Sequence, residues 1–281
     1  MTIKNFIADL GQIYFSLKFN LKNFYQNSNF YDKKISKTKD ITFGYKPSPY
    51  LLSSIVKYQK KKYKIEDFAI ESIWQNDLKY EEFEKLNNFF WFFSLDLKSS
   101  KRTTQTVINN WINKNPHYNK KSWNFDITSK RIISWLSNHQ LTYEDCEQEF
   151  KKKFNKSIQK QTNHLLNEIK NLSEVENKII GCAAIILTGL EYKEIFNITI
   201  KKQINHLIND IKKSKVVDDK VIGCAAIILA GLAYQNHKKY LSFGLNLLKN
   251  IIKSSIDTQG FPKSRNASKY TVYDSESEYS Q

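Results

Sequence analysis

Arg131 and Trp135 stand four residues apart in WNFDITSKRIISWLSNH (123–139), so both fall on one face of a helix. A guanidinium beside an indole can hold a carboxylated ring; the same pair can equally pack together and bond the 123–126 loop. Further on, Lys263, Arg265 and Asn266 follow a Gly-Phe-Pro turn at a helix end. Such a loop either presents a polar cluster to a ligand or pins two helices. His164 and His206 each follow an Asn inside a repeated stretch, and duplication accounts for the pairing better than chemistry does. His117, His139 and His237 have no partner of suggestive spacing, and Cys146, Cys182 and Cys224 show no metal-ligand spacing. No phosphate-cradling glycine loop, nucleophile elbow or metal motif occurs. Neither a metal nor a cofactor is expected.

The elements that position these residues are helical by period. Only 8 Gly and 4 Pro in 281 residues disfavour the many turns of an all-β fold. EEFEKLNNFFWFFSLDL (81–97) sets Phe83, Leu86, Phe90, Phe93 and Leu97 on one helical face, widened by Phe89 and Trp91. A helix at about 103–114 presents Val107, Ile108, Trp111 and Ile112, and Asn115-Pro116 ends it. Asp126 or Thr128 is placed to cap the helix that carries Arg131. A polar helix at about 143–170 and an apolar-faced one at about 237–255 complete the pattern.

The strongest feature is a duplication. QTNHLLNEIK (161–170) recurs as QINHLINDIK (203–212), and GCAAIILTGL (181–190) recurs as GCAAIILAGL (223–232), both 42 residues on. One unit is a polar-faced helix followed by an apolar helix whose Gly and Ala positions permit close approach. A single hairpin of this kind cannot bury both faces, so copies must stack.

Three stretches in this order resemble the heparinase II/III-like polysaccharide lyase family: SIWQNDLKYEEFEKLNNFFWFFSLDL (72–97); Trp123, Asp126, Thr128, Arg131 and Trp135; and IDTQGFPKSRN (256–266), with Asp257, Gly260, Arg265 and Asn266. The resemblance covers roughly 40–266. It implies an incomplete (α/α) toroid that in relatives precedes a β-sandwich, and cleavage of uronic-acid polysaccharides by β-elimination. That chemistry requires a group to neutralise the uronate carboxylate, a base for the C5 proton and an acid for the leaving oxygen; the resemblance implies Asn or Arg for the first and Tyr and His for the others. It further implies that Trp123, Arg131, Trp135, Lys263, Arg265 and Asn266 contact substrate. Tyr270 and Tyr273 do not match the family pattern and receive no catalytic role. The sequence stops soon after the Arg-Asn loop and carries the hairpin twice. The expectation is therefore a truncated member, binding or formerly cleaving an acidic polysaccharide and inactive alone, with a separate chain supplying the sandwich.

The organisation expected is a basic leader helix over 1–40, a linking segment with extended strands over 41–79 (FGYKPSPY at 43–50 being its extended core), and a toroid-like helical domain over 80–266. That domain contains the units 161–202 and 203–244; a disordered acidic tail occupies 267–281. The fold class is all-α, a helical-hairpin array. The net charge of +16 opens a second reading, a helical-repeat scaffold that binds protein or nucleic acid through lysines. All but three of the 44 basic residues are lysine, whereas base readout leans on arginine. The longest apolar run, 221–234, is too short to span a bilayer, and no signal-peptide stretch opens the chain. A cytoplasmic location is expected on that ground, and the family resemblance leaves the periplasm open.

Overall fold

The computed structural model describes residues 3–36, 78–95, 101–191, 193–233 and 238–255. These are mostly helical, and no strand occurs among them. The expected extended segment at 43–50, the Lys263–Asn266 cluster, Tyr270, Tyr273 and the tail lie outside the described residues.

In chain order the helices are α1 (Ile3–Gln26), α2 (Asn29–Ile35), α3 (Tyr80–Asn87), α4 (Lys101–Lys114), α5 (Phe125–Ser137), α6 (His139–Thr142), α7 (Gln148–Glu168), α8 (Val175–Glu191), α9 (Lys193–Lys213), α10 (Val217–Ala233) and α11 (Lys238–Ser255). The aromatic run expected as one helix over 81–97 is broken. α3 stops at Asn87, Phe89 takes a left-handed backbone at φ 58°, and Phe90–Ser94 form a 3-10 turn. Packing imposes this break. The turn lets Phe89, Phe90, Phe92 and Phe93 all bury, with the Phe89 ring edge-on to Trp111 and Trp135. Asn88 Oδ1 accepts the Phe90 N–H at 2.9 Å, and Ser134 Oγ donates to the Phe89 carbonyl at 2.6 Å. These contacts offset the cost of about 1–3 kcal/mol for a left-handed non-glycine residue.

α5 starts at neither expected cap. Asn124 is its N-cap and accepts the Asp126 N–H at 3.0 Å, while Asp126 sits in the first turn and pairs with Lys130 at 2.6 Å. The carboxylate so placed also favours the helix dipole.

The duplicated segments form two hairpins, α7–α8 and α9–α10. The apolar helices pack in a row, α5 on α8, α8 on α10 and α10 on α11. α9 lies mainly on α8, the apolar helix that precedes it, and α7 spans α4, α5 and α8. The small residues explain the closeness of the row. A Cβ at Gly181 would lie 2.3 Å from the tip of the Phe125 ring, and one at Gly231 would lie 2.4 Å from the Leu241 backbone nitrogen. Ile179, Ile185, Ile186, Ile222 and Ile227 fill the rest of the core, and Cys182 and Cys224 behave there as small apolar groups. Burial pushes both thiols up to about 12. No helix among the described residues is long and apolar enough to cross a membrane.

Candidate functional site

Arg131, the central candidate from sequence, is fully buried. Its Nε–H donates to Gln161 Oε1 at 2.7 Å, Nη1 donates to the Asn87 and Ser122 carbonyls at 2.9 Å each, and Nη2 donates to Thr128 Oγ1 at 3.2 Å. The guanidinium lies 4.0 Å from the centre of the Trp111 ring, and Trp111 Nε1 in turn donates to Asn87 Oδ1 at 2.9 Å. Burial pulls the pKa of Arg131 well below its usual value. The arrangement ties α3, the 122 loop, α5 and α7 together at one charge. Nothing at the surface can reach it in this conformation.

Trp135 is also fully buried, among Phe89, Trp111 and Phe154. Trp123 is 2% exposed and packs beside His164 and Tyr118. Of the residues expected to contact substrate, Trp123, Arg131 and Trp135 lie within the described chain, and all three are buried. Arg131 and Trp135 present no guanidinium or ring face for a ligand to cover.

His164 is buried, and its ring nitrogens have different partners. The Trp123 carbonyl accepts at 3.0 Å, so Nε2 carries the proton; Nδ1 then accepts the Tyr31 hydroxyl at 2.6 Å. Burial lowers its pKa to about 4, and burial likewise raises the Tyr31 hydroxyl above its ordinary range. This Tyr–His pair clamps α2 onto α7. Its duplicate His206 is exposed, because the clamp uses α2, which packs on α7 and α1.

An open cavity of about 360 Å³ lies beside this clamp, between the end of α2, the 113–117 turn and α7. Lys153, Lys156 and Lys160 line it from one face of α7, since their spacing of three and four residues keeps them in a row. Lys160 is at the floor, 8% exposed, paired with Asp32 at 2.7 Å and donating to the Pro116 carbonyl at 2.9 Å. His117 Nδ1 sits 3.2 Å from the other Asp32 oxygen. Lys153 pairs with Glu149 at 2.8 Å at the rim, while Lys156 is exposed and meets no carboxylate among the described residues. Trp123 lines the wall, and its buried indole N–H has no hydrogen-bond partner. Lys156, with Lys153 at the rim, offers cations for the oxygens of an anion, while Asp32 holds the floor lysine in place.

The sequence could not mark this cavity. Its lysines belong to a helix that reads as a solvated face, and its other wall comes from residues 32–36 and 112–123, far away in the chain. Among the described residues no group of His, Cys, Asp or Glu is placed to hold a metal ion. No family model, curated protein or solved structure matches the chain.

Proposed function

We propose that the chain is the helical part of a heparinase II/III-like protein, an incomplete (α/α) toroid, and that it binds an acidic polysaccharide rather than cleaving it. The observation that carries the binding is the cavity lined by Lys153, Lys156 and Lys160, with Trp123 also in its wall. Its volume is near the lower end of the roughly 300–1,000 Å³ typical of ligand pockets, enough for one sugar ring and its carboxylate. A polynucleotide would instead need a longer cationic track with stacking aromatics beside it. Binding without cleavage is supported by the lining of the cavity, where His117 is paired with Asp32 and no tyrosine is among the described lining residues to share the acid and base roles of a β-elimination.

The test is calorimetric titration with uronate oligosaccharides, neutral glucan oligosaccharides and single-stranded RNA. Uronate binding that weakens with salt and falls at least about tenfold in Lys156→Ala supports the reading. Binding of neutral glucan with equal affinity, or of RNA alone, overturns it. Absorbance of unsaturated uronate products during the same incubations would overturn the non-cleaving part.

A further inference from the structure

α1 is attached to the body by the side that an amphipathic helix normally leaves in solvent. Lys22 Nζ pairs with Glu168, Gln26 Nε2 donates to Glu168 Oε1 at 2.9 Å, Gln26 Oε1 accepts from the Tyr118 hydroxyl at 3.2 Å, and Lys120 Nζ lies 4.3 Å above the Phe19 ring. Residues 19, 22 and 26 follow one stripe of the helix. The opposite stripe carries Tyr14, Leu17, Leu21 and Phe24, which are 61, 57, 68 and 80% exposed, while Phe15 and Phe19, also exposed, lie off it. Large apolar side chains left out in a row mark a contact surface.

The spacing of that row identifies its partner. Ile3, Ile7, Leu10, Tyr14, Leu17, Leu21 and Phe24 alternate by four and three residues through the whole of α1. That is a heptad seam, with Ile7, Tyr14 and Leu21 at a and Ile3, Leu10, Leu17 and Phe24 at d. The flanking e positions hold Lys4, Gly11, Lys18 and Tyr25, and the g positions hold Phe6, Ile13 and Asn20. Parallel pairing sets e against g of the partner, so no like charges meet. A helix lying on a membrane surface would instead carry a lysine-rich polar face. The polar positions of α1 are mainly Asn, Gln and Ser, and Lys22 is already paired.

We infer that α1 pairs with α1 of a second copy of this chain as a short parallel coiled coil. A specific interface must bury at least about 1,000 Å² in total, and a pairing along the whole length of α1 is the contact that would supply it. The inference is independent of what the cavity binds.

Light scattering on the full chain during size-exclusion chromatography tests it. A mass twice that of one chain at micromolar concentration is expected, and the double variant Leu17→Glu/Leu21→Glu is expected to halve it without changing the thermal melt. Because that variant could misfold, Leu17→Cys and Ser16→Cys are compared under mild oxidation. A covalent dimer formed at least about tenfold faster by the seam position supports the pairing. A wild-type monomer, a dimer indifferent to the double variant, or equal cross-linking at both positions overturns it. So does a monomer that co-sediments with phosphatidylglycerol–phosphatidylcholine vesicles and loses them in the double variant, since the seam then belongs to a membrane.

Discussion

Gln161 Oε1 accepts the Nε–H of Arg131 at 2.7 Å, joining α7 to a buried cation that has no carboxylate partner among the described residues. The charge is instead spread over two carbonyls, an amide, a hydroxyl and the face of Trp111. Removing the guanidinium leaves all four acceptors dry and opens a void beneath Trp111. Arg131→Ala should therefore cost about 3–5 kcal/mol, and Arg131→Lys should remain clearly destabilised because a point charge cannot bond four diverging acceptors. Urea denaturation measures both. A loss below about 1 kcal/mol in the alanine variant would place Arg131 at an accessible surface and return it to the ligand-contacting residues.

The duplicated position makes a different bond. Gln203 Oε1 accepts from Cys182 Sγ at 3.3 Å, again linking an outer helix to the apolar helix before it. A thiol is a weak donor and Cys182 carries no charge, so Gln203→Ala should cost less than Gln161→Ala, by about 1–2 kcal/mol. Equal losses from the two variants, read from denaturation midpoints at unchanged slope, would mean that Gln161 is not held by a cation.

His164 supplies a pH dependence. Its folded pKa of about 4 lies below the ordinary value near 6.5, so between those values the unfolded chain binds the extra proton. Stability should rise with pH across that window, and the contribution present above about pH 6.5 should be lost as pH falls toward 4. The change is roughly 3 kcal/mol for a residue this deeply buried. Asp219 acts in the opposite sense in part of the same range, because burial raises its carboxyl to about 6. Comparing the wild type with His164→Gln isolates the histidine. The expected result is a flatter stability profile in the variant between pH 4 and 6.5, and parallel profiles would show that His164 is not neutral in the fold.

The helices around 101–114, 125–137 and 238–255 and the two hairpins are legible in the sequence because their apolar periods are long and the 42-residue duplication repeats them. The break at Phe89 is not legible, because its left-handed backbone is set by Trp111, Trp135 and Ser134, more than 20 residues away. The side-chain spacing of Arg131 and Trp135 correctly puts them on one helix, but spacing does not say which way that helix faces. An arginine is ordinarily exposed, and the acceptors that permit its burial come from Asn87, Ser122 and Gln161. Conversely, the lysines of α7 look like a solvated face until α2 and the 113–117 turn enclose them.

Glycine contacts separate soft from rigid neighbours. A Cβ at Gly231 meets the Leu241 backbone, whereas one at Gly181 meets the tip of the Phe125 ring. Gly231→Ala should destabilise by about 1–3 kcal/mol, because α10 and α11 must move apart. Gly181→Ala should cost less if Phe125 rotates, and the double variant Gly181→Ala/Phe125→Leu should recover much of that loss. Thermal melts decide this; a stabilised Gly231→Ala would mean that α10 and α11 are farther apart than described.

The duplication permits a deletion that keeps the packing register. Removing 178–219 joins Asn177 to Lys220 and takes out 42 residues, so Gly223 moves into the place of Gly181 beneath Phe125. Ile227 and Ile228 then replace Ile185 and Ile186, and α11 follows the hybrid helix as α9 follows α8. Because the interfaces in such an array are mainly between neighbours, the shortened chain should keep its helical content per residue and a cooperative melt. The control deletion, 178–209, joins Asn177 to Asp210 and leaves only a stub of α9 ahead of α10. No helix of the right length and phase then lies between α5 and α10, and Ile227 and Ile228, buried in the intact chain, lose their cover. That variant should aggregate or melt without cooperativity. Circular dichroism and light scattering compare the two. An in-period deletion that aggregates while the control stays soluble and cooperative would show that the two copies are not interchangeable where they pack, and that their similarity does not reflect a repeated packing unit.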